Sequence, residues 1–82
     1  MPVASTSLIE RIARVIAGRI ISVNADGDYA SAGDKVDEVW HLYIDDAVSI
    51  LKTMREPDQA AAAVGDAAVW ERMIEAALAR GA

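Results

Sequence analysis

The chain predicts an all-α fold: a small bundle of three main helices, at about 8–21, 35–55 and 67–80, plus one short helix at about 58–64. Three observations lead there. Apolar residues recur at three- and four-residue steps in each long segment, the signature of one buried helix face. Alanine, the best helix former, is abundant and runs unbroken from Ala60 to Ala63. Gly, Pro, Asp and Ser fall between the periodic segments, where helices start and stop. No linker or repeat divides the chain, so residues 1–82 form one helical domain.

The first helix opens on Ser7-Leu8-Ile9-Glu10, a capping box in which Ser7 accepts from the N–H three residues on and Glu10 reaches back. Leu8, Ile12, Ile16 and Ile20 then recur every fourth residue, with Ile9 and Ala13 beside them and Arg11, Arg14 and Gly18 on the far side. Asn24 to Gly33 is a loop by its Asn, Asp, Gly and Ser content. Asp26-Gly27 also suits a tight turn, so a hairpin pairing Ile20–Val23 with Tyr29–Ser31 is an alternative.

The second helix is the longest element. Val36, Trp40, Tyr43, Ala47, Ile50 and Met54 form a continuous seam along about 30 Å of helix. Asp34 is the expected N-cap, and Asp37 and Glu38 in the first turn suit the positive end of the helix dipole. Arg55 in the last turn and Pro57 just beyond end it. Pro57 can open the short helix that runs to Val64, Gly65 stops that helix, and Asp66 caps the next. The last helix gathers Trp70, Met73, Ile74, Ala77 and Leu78 on one face, and Gly81 terminates it. Trp40 and Trp70, both on seams, read as core residues.

At 82 residues with no cysteine, the domain sits near the lower limit for folding alone, without disulfide or thiolate–metal support. Much of its apolar content is Ala, which buries little area, so homodimerisation is an expected further source of burial. Lack of Cys fits a reducing cytoplasm. The apolar stretch Leu8–Val23 is interrupted by Glu10, Arg11, Arg14 and Arg19 and so predicts neither a signal segment nor a membrane span.

The net charge of −5 is unevenly placed. Between Asp26 and Asp46 seven acids face only Lys35, a local balance of −6. On the second helix the side opposite the seam reads Asp34, Glu38, His41, Asp45, Ser49 and Lys52. Such a block repels nucleic-acid phosphate and attracts basic surfaces, so direct nucleic-acid binding is disfavoured. The basic patch of Arg11, Arg14 and Arg19 on the first helix has this acidic face as its natural partner.

No arrangement of residues predicts catalysis. Glu38 and His41 are spaced to ligate one metal, with Asp45 a turn further on, but a carboxylate-bridged centre needs that pair twice and the chain has one His. Asn24, Asp26 and Asp28 fail the EF-hand register: placing Gly27 sixth puts Ser22 first and Gly33 twelfth. A helix-turn-helix over Gln59–Leu78 would present Glu71 and Glu75 beside Arg72 to DNA, the wrong sign. With no nucleophile–base set and no phosphate-cradling loop, the expectation is no enzyme, no cofactor and no metal.

Three strings carry a resemblance: Trp40-His-Leu-Tyr-Ile-Asp-Asp-Ala47, Met54-Arg-Glu-Pro57, and Trp70-Glu-Arg-Met-Ile-Glu-Ala-Ala-Leu78. Together they resemble short helical proteins of proteobacterial tailed phages and prophages, over about half the chain and without a catalytic motif. The resemblance implies a protein acting in the bacterial host cytoplasm. Small acidic phage proteins often block host machinery, anti-CRISPR proteins and other DNA mimics being the best-known kind. The expectation is an inhibitor that binds a host protein or nucleoprotein complex with a basic surface. Asp26, Asp28, Asp34, Asp37, Glu38, Asp45 and Asp46 supply the charge. The alternative is a small homodimeric assembly or regulatory module of a phage, joined through apolar residues.

Overall fold

The computed structural model describes residues 3–24 and 32–82, and among these the chain is helical with no strand. Five helices are present: α1 (Leu8–Asn24), α2 (Ala32–Val39), α3 (Ile44–Met54), α4 (Gln59–Ala62) and α5 (Ala67–Arg80). A 3-10 turn, Trp40–Tyr43, lies between α2 and α3. The all-α expectation holds. Asp26, Asp28 and the second strand of the alternative hairpin lie outside the described residues. The first strand of that hairpin does not form, because Ile20–Val23 continue α1.

The long second helix is not continuous. Val39 (φ −118°, ψ −7°) and Tyr43 (φ −108°, ψ 13°) leave ideal helical geometry on either side of the 3-10 turn. Val39, Trp40, His41 and Tyr43 are all β-branched or aromatic residues that lose rotamer freedom against a preceding helical turn. The tighter winding, three residues per turn, shifts which residues face inward beyond it. Ala47 and Leu51 are fully buried, with Ile44 and Val48 packed against them, whereas Ile50 and Met54 of the expected seam are exposed.

A similar shift occurs on α1, whose buried line is Ile9, Ala13 and Ala17. Leu8, Ile12 and Ile16 flank that line and Ile20 is exposed, so the expected fourth-residue row borders the core instead of filling it. The reason is geometric. Helices that pack through alanine approach closely, and their larger neighbours then straddle the contact. Arg14 and Gly18 are half-buried rather than outward: an added Cβ on Gly18 stands 3.8 Å from Val36 Cγ2, which locates the α1–α2 contact.

Helix α1 is the hub. It packs against α2, the 3-10 turn and α3, while α5 packs mainly on α3. Ile9, Ala13, Ala47, Leu51 and Ile74 form the buried cluster where α1, α3 and α5 meet. Trp40 and Trp70 are half-buried against it. Only Ile9, Leu51 and Ile74 in this cluster are large, so the core is thin. The extents are 42 × 25 × 25 Å with a radius of gyration of 15.0 Å. A compact chain of this length has a radius near 12 Å, so the molecule is elongated.

The ends of the elements follow their residues. Ser7 Oγ accepts from Glu10 N–H at 3.1 Å. Glu10 does not complete the expected box; its Oε2 accepts from Arg14 Nε at 2.8 Å. Asp34 is not the N-cap of α2, which begins at Ala32, and instead sits in its first turn. The short helix spans Gln59–Ala62 with Asp58, not Pro57, at its start: Asp58 accepts from Ala61 N–H at 2.8 Å. Asp66 caps α5 through Ala68 and Val69 N–H, and Gly81 ends it at φ 74°. Arg80 Nη2 donates to Ser5 O at 2.6 Å, tying the chain's two ends together.

Candidate functional site

Five of the seven predicted acidic residues lie among the described residues, and all five are exposed. The structure does not array them along one rigid helix. Asp34, Asp37 and Glu38 project from α2, Asp45 and Asp46 from the first turn of α3, and the 3-10 turn separates the two groups. Asp34 in the first turn of α2 and Asp45 and Asp46 in the first turn of α3 face the positive end of a backbone dipole. Asp37 and Glu38, expected in a first turn, lie instead in the last turn of α2, because that helix begins at Ala32 and ends at Val39.

Asp37 differs from the rest. Its Oδ1 accepts from Arg14 Nη1 at 2.6 Å, although its side chain is 68% exposed. The same guanidinium reaches Glu10 and lies 5.2 Å from the centroid of the Trp40 ring. Arg14 thus joins α1, α2 and the 3-10 turn, and its pKa is raised, first by the hydrogen bond to Asp37 and then by that to Glu10. The expected pairing of the basic patch with the acidic face is realised at this residue. It leaves Asp34, Glu38, Asp45 and Asp46 as the outward carboxylates.

Among the described residues no group of three or more His, Cys, Asp or Glu converges as a metal site, and Glu38 and His41 are both exposed. His41 meets Trp40 edge-on instead, with ring centroids 6.4 Å apart. A helix-turn-helix is also ruled out, because α4 is a single turn of four residues with none of them buried.

The expected site did not include an apolar groove between α4 and α5. Pro57, Ala61, Val64, Val69, Trp70 and Met73 border a concavity of about 400 Å³. Val64 is 90% exposed and Met73 61%. The signal was present in the sequence: Val69, Met73 and Ala76 are spaced by four and three on α5, a second apolar stripe beside the one that faces the core. Met73, expected on the core face, belongs to this stripe instead, because Ile74 takes the buried position beside it. At the C-terminal end of α3, Lys52, Thr53, Glu56 and Glu71 line a polar hollow crossed by the Arg55–Glu75 ion pair at 3.1 Å.

No described helix is long and apolar enough to cross a membrane. No protein-family model matches the chain, and no curated protein or solved structure shows significant similarity to it.

Proposed function

We propose that this chain is a non-catalytic, phage-derived inhibitor that binds a host nucleoprotein complex in the bacterial cytoplasm and competes there with nucleic acid, in the manner of anti-CRISPR proteins. The observation that carries the reading is the set of outward carboxylates on α2 and on the first turn of α3, Asp34, Glu38, Asp45 and Asp46; among the described residues of this surface only Asp37 is matched by a cation, Arg14. A patch of this kind is attracted to a basic channel, speeds encounter with it and repels nucleic acid itself. The −6 balance between Asp26 and Asp46 supports it, as does the phage-like pattern of Trp40, Met54–Pro57 and Trp70–Leu78.

The test is competition for DNA on a purified CRISPR surveillance complex, with affinity capture from host lysate and mass spectrometry to identify other targets. The wild-type chain is expected to displace DNA from its basic target at low salt. The triple variant Asp34→Lys, Glu38→Lys, Asp45→Lys should lose that activity while keeping its helical circular dichroism. Undiminished competition by the triple variant sinks the reading.

A further inference from the structure

We infer that the groove between α4 and α5 seats a second copy of this chain, with the two α5 helices antiparallel about a twofold axis at Met73. The surface lies apart from the acidic face, and the inference does not depend on the inhibitor reading.

The first support is area. The chain exposes 5966 Å². A compact monomer of 8.7 kDa exposes about 4,700 Å², so about 1,200 Å² is in excess. A standard interface removes about 800 Å² from each partner, about two-thirds of that excess. The buried cluster is correspondingly small, and Val64, Val69 and Met73 are exposed together at the groove.

The second support is shape and spacing. Asp66, Val69, Met73, Ala76 and Arg80 follow one another by three, four, three and four residues, the a/d seam of a helix pair. All five are exposed. Asp66, Val69 and Met73 of this seam are also one wall of the groove, whose other wall is Pro57, Ala61 and Val64. A twofold contact requires one patch that complements itself, and a helix edge that walls a groove can enter the same groove of a second copy.

The third support is charge. Reversing α5 about Met73 sets Asp66 opposite Arg80 of the second copy, and Arg80 opposite the second copy's Asp66. A parallel arrangement places like charges together at both ends. Asp66 caps α5 with Oδ1 alone, and Arg80 holds the Ser5 carbonyl with Nη2 alone, so both keep polar atoms for a partner.

The experiment is sedimentation of the full chain over a concentration series, with three single variants. The wild-type chain is expected to dimerise. Met73→Glu, at an exposed position, should keep its helical circular dichroism and raise the dimer dissociation constant roughly 30-fold or more. The chain has no native Cys, so Met73→Cys should oxidise to a cross-linked dimer. Val69→Cys should not, because antiparallel helices hold the two copies of residue 69 about 12 Å apart along the axis. A wild-type chain that stays monomeric across the series overturns the inference, whether or not the groove takes up an apolar dye or another polypeptide. So does a dimer that tolerates Met73→Glu, or one that cross-links through Val69→Cys as readily as through Met73→Cys.

Discussion

The indole N–H of Trp70 donates to the carbonyl oxygen of Met54 at 2.6 Å, joining α5 to α3 where the latter runs out of its own donors. The last carbonyls of a helix have no partner within it, so a side chain that satisfies one also fixes a neighbour's position. Trp70→Phe keeps an aromatic ring but removes the donor. It is expected to cost about 1–2 kcal/mol, read from urea unfolding, with the remaining Trp40 as the fluorescent reporter. An unchanged midpoint would show that this bond does not hold α5.

Arg14 is expected to matter more than Asp37, because it also holds Glu10 and faces the Trp40 ring. Arg14→Ala should lower the melting temperature more than Asp37→Ala. Both effects should shrink with added salt, although the packing on Trp40 survives it. The raised pKa of Arg14 sets the pH dependence. A folded-state pKa above the unfolded one gives stability that is complete below the unfolded value and lost only as pH rises through the folded one. For a guanidinium that window is strongly alkaline. The difference between wild type and Arg14→Ala should therefore be the same at about pH 7 and about pH 9.

The close packing of α1 against α2 and α3 predicts opposite effects for three substitutions. Ala13 is fully buried, and Ala13→Leu is expected to overpack the crossing at a cost of about 1–3 kcal/mol. Leu51→Ala removes one of the few large core side chains at a cost of about 2–5 kcal/mol, a large share of a small domain's stability. Gly18→Ala works the other way. Its Cβ would meet Val36 at an ordinary contact distance of 3.8 Å, and helix propensity should yield about 0.5–1 kcal/mol of stabilisation. Thermal unfolding of the three variants checks all of this, and a destabilised Gly18→Ala would contradict the α1–α2 spacing.

These residues also show which parts of the molecule were legible in the sequence. Ser7, Asp66 and Gly81 act locally, and each does at its helix end what its residue type implies. The helical character of the described residues is equally local, since it follows from periodicity and alanine content. The buried line Ile9–Ala13–Ala17 is different, because it depends on how closely a second helix approaches, which no single segment encodes. The break at Trp40–Tyr43 is different again. Its period matches a continuous helix, yet the packing of these residues on α1 and the stiffness of Val39 and the aromatics give a 3-10 turn. The exposure of the predicted acids followed from their charge. Capture of Asp37 by Arg14 required knowing that α1 and α2 are adjacent.

That capture separates the acidic residues into testable groups. Glu38 is exposed on the same helix as Asp37 and pairs with no cation among the described residues, so its charge is available to a basic partner. Glu38→Gln should therefore weaken binding to a short polylysine peptide more than Asp37→Asn does. Asp45 and Asp46 have a second role, because they occupy the first turn of α3 and stabilise the helix dipole there. Neutralising them to Asn should lower binding and also cost about 0.3–1 kcal/mol each in stability. Asp34→Asn with Glu38→Gln should lower binding and flatten its salt dependence, with a smaller change in melting temperature than the α3 pair. Equal loss from Asp37→Asn and Glu38→Gln, measured by titration calorimetry at low salt, would show that the Arg14 pair does not shield Asp37. The acidic face would then act as one undivided patch across the 3-10 turn.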